Sequence, residues 1–324
     1  MPMHYPMHSI VIPNPLTEGQ GRAIEKLAEA ATSHDGVAPF DEQTLLDLKR
    51  GTARKYFLVY EHSYAGAECD DVPEPNAGAA QEPDAAPLWG VAILHEESGT
   101  AEIAVDPHCR NCGIASQLIA TLSAERAGKT LFLWAHGSRP ASLHLAEKFS
   151  MIPSRELLVM NAELESTESD GETACVPSNV VLRRIDSTND ADVDNLVRLN
   201  ARSFNTHPEQ GKLLREDFLQ RFEQPWFDAD LLQWIVDEKS GKTVGFLWLK
   251  PESSDCVELY VLGVDPKYQG KGLAGAAMRC AMASMRARGF TRMTLYVNRS
   301  NSAAVRLYER AGFQLSELHT CFQL

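Results

Sequence analysis

The sequence lacks long apolar runs and has no excess of basic charge. Within its 324 residues, no stretch approaches the ~18 consecutive apolar residues that a membrane helix needs. Met1–Ile10 also lacks the apolar region of a signal peptide. The formal net charge is -13, which argues against general nucleic-acid binding because phosphates require a basic face. We therefore expect a cytoplasmic protein that engages neither membranes nor nucleic acids.

Sequence patterns for metal and nucleotide sites are missing as well. The ten histidines show no ligand spacing, and H-E-x-x-H is absent. Cys109-Arg110-Asn111-Cys112 has no second cysteine pair of the kind that a zinc site requires. The seven cysteines are scattered, which is typical of free thiols in a reducing compartment. The complete P-loop pattern, G-x-x-x-x-G-K-[ST], is also absent, so we expect no bound metal and no nucleotide P-loop.

The composition is that of a folded protein with two domains. Hydrophobic residues make up 44% and charged residues 23% of the chain, a balance typical of globular domains. Residues 161–179 are acidic and polar, as linkers are, and Glu61–Pro87 is expected to be an exposed loop. We predict an N-terminal domain at 1–160, an acidic linker at 161–179 and a C-terminal domain at 180–324.

The two halves repeat one pattern at a constant distance. Val105-Asp106-Pro107 and Val264-Asp265-Pro266 lie 159 residues apart, and the same offset aligns the loops that begin at Arg110 and Gln269. In both halves a strand, this turn, a glycine-containing loop and a helix follow one another. We infer that one α/β unit has been duplicated.

The later loop, Gln269-Gly270-Lys271-Gly272-Leu273-Ala274, has the features of an anion site. It follows a predicted strand at Cys256–Val264 and opens a predicted helix at Gly272–Gly289. The first turn of a helix offers unpaired N–H groups and a positive dipole end, and glycines let the backbone approach an anion closely. A plain strand-to-helix turn is the alternative interpretation of this motif taken alone.

Two motifs together resemble the GCN5-related N-acetyltransferase (GNAT) superfamily. The loop is similar to the superfamily's coenzyme A pyrophosphate motif, Gln/Arg-x-x-Gly-x-Gly/Ala, and Asn301–Phe313 is similar to its second signature, N-x-x-A-x-x-L-Y-x-x-x-G-F. The resemblance implies an α/β fold of two tandem GNAT-type domains, each a mixed, mostly antiparallel sheet flanked by helices. It also implies acetyl-CoA as co-substrate and an amine as acetyl acceptor.

The resemblance further implies which residues bind acetyl-CoA. In the C-terminal half these are Leu262, Gly263, Val264, Gln269, Gly270, Lys271, Gly272, Leu273, Ala274, Gly275, Asn301, Ser302, Ala303, Ala304, Val305 and Arg306. In the N-terminal half they are Ile103, Ala104, Val105, Asn111, Cys112, Gly113, Ile114, Ala115 and Ser116. Ser138 and Leu145 stand there in place of Asn301 and Tyr308. We therefore expect that half to be catalytically degenerate, and either to bind a second coenzyme A or to support the other domain.

Glu258 and Tyr308 are the predicted catalytic residues. By the resemblance, Tyr308 protonates the departing sulfur as general acid; its alternative is a half-buried aromatic on an amphipathic helix. Regular strand alternation puts residues 258, 260 and 262 on one face, so the Glu258 carboxylate is expected to take the amine proton as general base, directly or through a water. The alternative for Glu258 is an exposed strand glutamate.

Further segments resemble one family within the superfamily, the mycothiol synthases of actinobacteria. These segments are Asp35–Pro39, Phe204–Gly211, Gly245–Lys250 and Glu258–Pro266. Nearly the whole chain shares the resemblance, but Glu61–Pro87 and Asn111-Cys112 depart from it. It implies direct attack on acetyl-CoA by the cysteinyl amine of cysteinyl-glucosaminyl-inositol, with acceptor contacts from Asp35, Glu209, Lys250, Glu258 and Tyr296. Asp35 taken by itself is equally well explained as a helix-cap or turn residue.

Two other functions stay open at the level of sequence. One is a GNAT acetyltransferase for another primary amine, such as a protein N-terminus or a small molecule. The other is a non-catalytic sensor that binds acyl-CoA. Retention of both Glu258 and Tyr308 favours an enzyme, since a pure binder needs neither. We expect a small-molecule amine as partner, and a monomer.

Overall fold

The computed structural model describes residues 9–51, 54–60, 87–164, 179–205, 207 and 210–324. The chain forms two compact units: unit 1 comprises Met1–Glu156 with Leu318–Leu324, and unit 2 comprises Leu157–Glu317. The predicted loop Glu61–Pro87 lies outside the described residues except for Pro87, and so does most of the predicted linker.

Unit 1 is a sheet in the order β1-β2-β3-β4-β5-β12. Its strands are β1 (Ile10–Val11), β2 (Lys55–Tyr60), β3 (Leu88–His95), β4 (Thr100–Val105), β5 (Phe132–Ala135) and the end of β12 (Gln314–Gln323). Its helices are α1 (Glu18–Asp35), α2 (Glu42–Arg50), α3 (Ile114–Glu125) and α4 (Pro140–Lys148). Alternate residues of β2 enter different cores: Leu58 packs with Ile24 of α1, whereas Phe57 packs with Leu118 of α3. The sheet is thus covered on both faces.

Unit 2 repeats this architecture with the order β6-β11-β10-β9-β8-β7. Its strands are β6 (Ile152–Glu163, from Leu157 onward), β7 (Val180–Arg184), β8 (Leu232–Asp237), β9 (Thr243–Pro251), β10 (Cys256–Val264) and β11 (Arg292–Asn298), with the beginning of β12. Its helices are α5 (Asp190–Ser203), α6 (Arg215–Phe222), α7 (Leu273–Ala287) and α8 (Ser302–Arg310). Among the described strand pairs of each unit, only β4–β5 and β10–β11 are parallel. The predicted class, two mixed and mostly antiparallel α/β domains, is confirmed.

Besides the two-residue strand β1, three elements were not predicted from the sequence: β6, α6 and β12. Helix α6 is short and strongly charged, and the first half of each of the two strands is largely exposed, so none carries a clear apolar period. The unit boundaries therefore differ from the predicted domain boundaries. Leu157–Glu163 pair with β11 in unit 2, and Thr320–Gln323 pair with β5 in unit 1. None of the described helices is long and apolar enough to cross a membrane.

The central parallel strands of unit 2 pair over a short distance. Strand β10 pairs with β11 from Cys256↔Arg292 to Leu259↔Leu295. Beyond these residues the two strands continue, to Val264 and Asn298, but no longer pair with each other. On its other side, β10 carries a bulge: Leu259 lies opposite Leu249 and Val261 opposite Trp248, so Tyr260 is an extra residue. The bulge breaks the regular alternation expected for residues 258, 260 and 262: Glu258 and Tyr260 both lie beside Lys250, whereas Leu262 is turned to the other face.

Glycines permit close packing of the backbone beside this region. A Cβ added to Gly245 on β9 would lie 2.4 Å from the Gly263 carbonyl oxygen on β10, and one added to Gly263 would lie 2.7 Å from the Phe246 ring. The first contact involves backbone that cannot rotate away. Strands β9 and β10 therefore need glycine at 245.

We predict that Gly245→Ala destabilises the protein by about 1–3 kcal/mol, because the new methyl group overpacks against a fixed carbonyl. The measurement is chemical denaturation followed by circular dichroism. Gly21→Ala is the matched control, since a Cβ at this site in α1 meets nothing within 4 Å and alanine is the better helix former by about 1 kcal/mol. Equal stability of the Gly245→Ala variant and the wild type would contradict the packing argument.

Candidate active site

The Gln269–Ala274 loop is tied to the end of β10. Gln269 Nε2 donates a hydrogen bond to the Val264 carbonyl oxygen at 3.0 Å, and the Asp265 carboxylate accepts one from the Lys267 backbone N–H at 3.1 Å. Gly270 and Gly272 both adopt left-handed φ angles, of 72° and 77°, which glycine reaches without a Cβ penalty. These features turn the chain from β10 directly into α7.

The N-terminus of α7 has no side-chain cap, whereas Asn189 caps α5 and Asn301 caps α8. The first-turn N–H groups of α7 thus remain available to an anion. A Cβ at Gly275 would lie 3.3 Å from the Leu307 side chain, so α8 packs closely against the start of α7. The predicted cofactor residues of unit 2 therefore lie at the end of β10, in the loop, and in the first turns of α7 and α8.

Unit 1 preserves the shape of this loop. Asn111 and Gly113 adopt left-handed φ angles of 64° and 84°, Arg110 Nε donates to the Val105 carbonyl oxygen at 3.4 Å, and α3 has no side-chain cap. The predicted cofactor residues of this unit lie at the end of β4 (Ile103–Val105), in the loop (Asn111–Gly113) and in the first turn of α3 (Ile114–Ser116). The loop geometry has been retained although the loop sequences differ.

The unit 1 loop contains a cysteine: Cys112 Sγ donates a hydrogen bond to the Arg110 carbonyl oxygen at 3.5 Å. Neither Cys109 nor Cys112 forms a disulfide. Among the residues that the structure describes, no group of three His, Cys, Asp or Glu side chains is arranged to hold a metal ion.

Glu258 lies on β10 directly opposite Lys250 on β9. The Lys250 Nζ atom lies 3.7 Å from a Glu258 carboxylate oxygen and 3.0 Å from one of Glu252. Glu258 is 7% exposed, so the alternative of an exposed strand glutamate does not apply. Its position one residue before the last β10–β11 pair puts it where the two strands begin to separate.

Tyr308 is a buried phenol on α8. Its ring is 8% exposed and lies against Phe313, with ring centroids 5.9 Å apart. Burial raises the pKa of Tyr308 to about 12, because the phenolate is poorly solvated there. The side chain therefore retains its proton at neutral pH, as a general acid must.

Tyr296 on β11 completes a group with Lys250 and Glu258. It is 48% exposed, yet its partial burial, together with the nearby Glu258 and Glu252 carboxylates, raises its pKa to about 12. Three of the five predicted acceptor residues are thus brought together in unit 2.

Of the other two predicted acceptor residues, one lies in unit 1 and one lies outside the described residues. Asp35 ends α1 in unit 1, where both of its carboxylate oxygens accept hydrogen bonds from Arg110 at 2.8 Å. These bonds hold the pKa of Asp35 below its usual value. Glu209 lies outside the described residues.

Three residues beside Lys250 escaped the sequence analysis: Glu252, Trp226 and Tyr260. The Lys250 ammonium lies 5.2 Å from the Trp226 ring centroid and 5.6 Å from that of Tyr260. Strand alternation from Lys250 would have found Glu252. No sequence signal connects Trp226, which follows α6, with a lysine on β9.

Comparisons with known proteins find related sequences over most of the chain. The sequence model of the "Acetyltransferase (GNAT) family" matches residues 194–313. Mycothiol acetyltransferase of Clavibacter sepedonicus is 36% identical over 295 residues, which cover 90% of this chain and 88% of that protein. Mycothiol acetyltransferase of Thermobispora bispora is 36% identical over 306 residues, covering 92% and 93%.

Solved structures resemble the whole chain in fold. A GCN5-related N-acetyltransferase from Sphaerobacter thermophilus aligns with a TM-score of 0.63 at 19% identity, covering 98% of this chain and 95% of that one. A tandem GNAT protein from the clavulanic acid biosynthesis pathway has the same TM-score at 14% identity and covers 98% of each chain. These structures support the tandem fold and carry no further conclusion about function.

We predict that Gly270→Asn retains acetyl-CoA affinity while Gly270→Val loses it by about tenfold or more. Asn111 adopts the same left-handed conformation in the other loop, whereas a β-branched residue at positive φ is strongly disfavoured, and ~1.4 kcal/mol of strain corresponds to tenfold weaker binding. Isothermal titration with acetyl-CoA measures this, with thermal melting as a control for folding. Equal losses in both variants would contradict the proposed role of the loop conformation.

Proposed function

Because the chain belongs to the mycothiol acetyltransferase family of GNAT acetyltransferases, we propose that it acetylates the cysteinyl amine of cysteinyl-glucosaminyl-inositol and so forms mycothiol. Acetyl-CoA is the acetyl donor. The observation that carries the proposal is the position of Glu258 and its partner Lys250 where β10 and β11 separate, on the strand that leads into the anion loop.

The loop and α7 are proposed to hold the donor. The uncapped N–H groups of α7 suit a pyrophosphate, and the backbone of Leu262–Val264, which β11 does not pair, suits the amide-containing pantetheine arm. A backbone N–H there also stabilises the oxyanion that develops during attack.

Glu258 is the proposed general base. The acceptor amine arrives mainly as an ammonium, so a proton must leave before nitrogen attacks the acetyl carbonyl carbon. Glu258 accepts that proton, directly or through a water. Attack forms the C–N bond of a tetrahedral intermediate, and its collapse breaks the C–S bond. The second proton on nitrogen passes to the phenolate that the general acid leaves behind, and Glu258 releases its proton to solvent.

Tyr308 is the proposed general acid. Its pKa of about 12 keeps the phenol protonated, and it donates that proton to the departing sulfur, which leaves as a neutral thiol. The unit 1 residue that aligns with it is Leu145. We therefore assign catalysis to the C-terminal domain at 180–324, and a second coenzyme A or a supporting role to the N-terminal one.

The proposed acceptor contacts are Asp35, Glu209, Lys250, Glu258 and Tyr296. A sugar–inositol acceptor has many hydroxyl groups, which carboxylates and an ammonium bind through charge-assisted hydrogen bonds. The bidentate bond from Arg110 leaves Asp35 with lone pairs for such contacts.

The proposal is tested with purified protein, acetyl-CoA and three acceptors: cysteinyl-glucosaminyl-inositol, glucosaminyl-inositol and cysteine. The first acceptor carries its own thiol, so N-acetylated product is measured by mass spectrometry rather than by thiol release. We expect rapid acetylation of the complete acceptor alone. Comparable rates with glucosaminyl-inositol, or activity confined to an unrelated amine, would show that the acceptor assignment is wrong.

We predict that Glu258→Gln and Tyr308→Phe each lower kcat by about 10²-fold or more, as loss of a general base or acid does. The dissociation constant for acetyl-CoA, measured by calorimetry, is expected to stay within about threefold of the wild-type value, because binding rests on backbone groups.

The matched controls for these variants are Glu238→Gln, an exposed glutamate after β8, and Tyr56→Phe, a buried tyrosine of unit 1. Both controls should retain full activity. Loss of acetyl-CoA binding in either site variant would mean that a binding residue had been mistaken for a catalytic one.

A further inference from the structure

Lys250 is held between two carboxylates and two aromatic rings. Its side chain is 16% exposed, and its Nζ atom lies nearer to Glu252, at 3.0 Å, than to Glu258, at 3.7 Å. The centroids of the Trp226 and Tyr260 rings both lie within 6 Å of the Lys250 Nζ atom. That is the range in which a ring quadrupole attracts a cation, and the attraction strengthens when water is excluded.

The two rings are themselves fixed by the core. Their centroids lie 5.3 Å apart, and each lies within 6 Å of the fully buried Trp248 ring. Tyr260 is also the bulged residue of β10. Its hydroxyl accepts a hydrogen bond from Arg221 Nε at 2.8 Å, and Arg221 is 7% exposed. Because Arg221 is buried and charged, its hydrogen bond fixes the orientation of the Tyr260 ring.

A fixed cation beside a buried carboxylate changes when that carboxylate takes up a proton. An ammonium within 4–6 Å favours the ionised form and lowers the pH of protonation by about 1–3 units in well-ordered sites. A flexible lysine would spread its charge over many positions and act more weakly. By restricting the four-carbon side chain of Lys250, the two rings keep its ammonium at a defined distance from Glu258.

We propose that Trp226 and Tyr260 are positioning residues that hold the Lys250 ammonium beside Glu258 and thereby keep Glu258 ionised and ready to accept a proton. The catalytic consequence rests on the proposed function of Glu258 as general base. Neither ring is assigned a contact with the acetyl donor or the acceptor.

Other charged and titratable groups surround the pair, and none is altered in the test below. They are Glu252 just after β9, Arg221 on α6, Tyr296 on β11 and Glu317 on β12, the last acting on Tyr296 electrostatically. The charges of Glu252 and Lys250 shift the pH at which Glu258 takes up its proton in opposite directions. Removing Glu252 would therefore not change that pH in a predictable direction.

The test uses the full chain with Trp226→Leu, Tyr260→Leu and Tyr260→Phe. The pH at which Glu258 takes up its proton is followed by carbon-13 NMR of glutamate-labelled protein without substrates, the resonance being identified by its loss in Glu258→Gln. The acid limb of kcat/KM is measured in parallel. Phe222→Leu is the matched control, because its ring contacts are with Phe227 and Trp248 in the same aromatic cluster.

We expect both leucine variants to move the NMR midpoint to higher pH by about 0.5–1 unit, since the ammonium is no longer held near the carboxylate. Tyr260→Phe retains the ring and should keep the wild-type midpoint, although loss of the Arg221 partner lowers its melting temperature. If Trp226→Leu does not fold, Trp226→Met removes the ring face with less loss of volume and is measured in its place.

An unchanged midpoint in either ring-deleting variant, or an equal shift in Phe222→Leu, would overturn the proposal. The NMR arm requires no turnover, which separates this outcome from failure of the proposed function. If the midpoint shifts and the acid limb does not follow, Lys250 is positioned as proposed and Glu258 is not the base.

Discussion

The separation of two parallel strands is the constraint on which the site of unit 2 depends. Strands β10 and β11 stop pairing after Leu259 and Leu295, although both continue. Backbone groups that lose a strand partner need another one, and an amide-bearing arm between the strands would supply it. The Tyr260 bulge lies at the same point and adds local twist to β10. Glu258, the anion loop and α7 all take their positions from this one strand.

The two units share this constraint and use it differently. In unit 1, β4 and β5 pair at Thr100 and Ala101, and beyond that point the buried Glu102 is hydrogen-bonded to His136 at 2.7 Å and His136 to His319 at 2.9 Å. In unit 2, Glu258 and its lysine partner lie one residue before the last β10–β11 pair. Duplication has preserved the strand, turn and loop, while the side chains beside them have diverged.

Local features of the site could be predicted from the sequence because they depend on short motifs. The loop at Gln269, the cap at Asn301 and the helix at Tyr308 follow from residues close in sequence. The bulge at Tyr260 could not be predicted, because the apolar pattern of β10 continues through it. Trp226 reaches Lys250 through tertiary packing, and the Asp35–Arg110 pair joins residues far apart in sequence. Regular alternation fails on β10 because the single extra residue at the bulge moves the side chains that follow it to the opposite face of the sheet.

The central claim is that the gap between β10 and β11 receives the reacting thioester. The most direct measurement is a crystal structure of the protein with a non-transferable acetyl-CoA analogue. We expect the pyrophosphate at the N-terminus of α7, the pantetheine arm along Leu262–Val264, and the sulfur-equivalent atom within hydrogen-bonding distance of the Tyr308 hydroxyl. An analogue bound with its acyl group away from this gap, or with Tyr308 remote from the sulfur position, would contradict it.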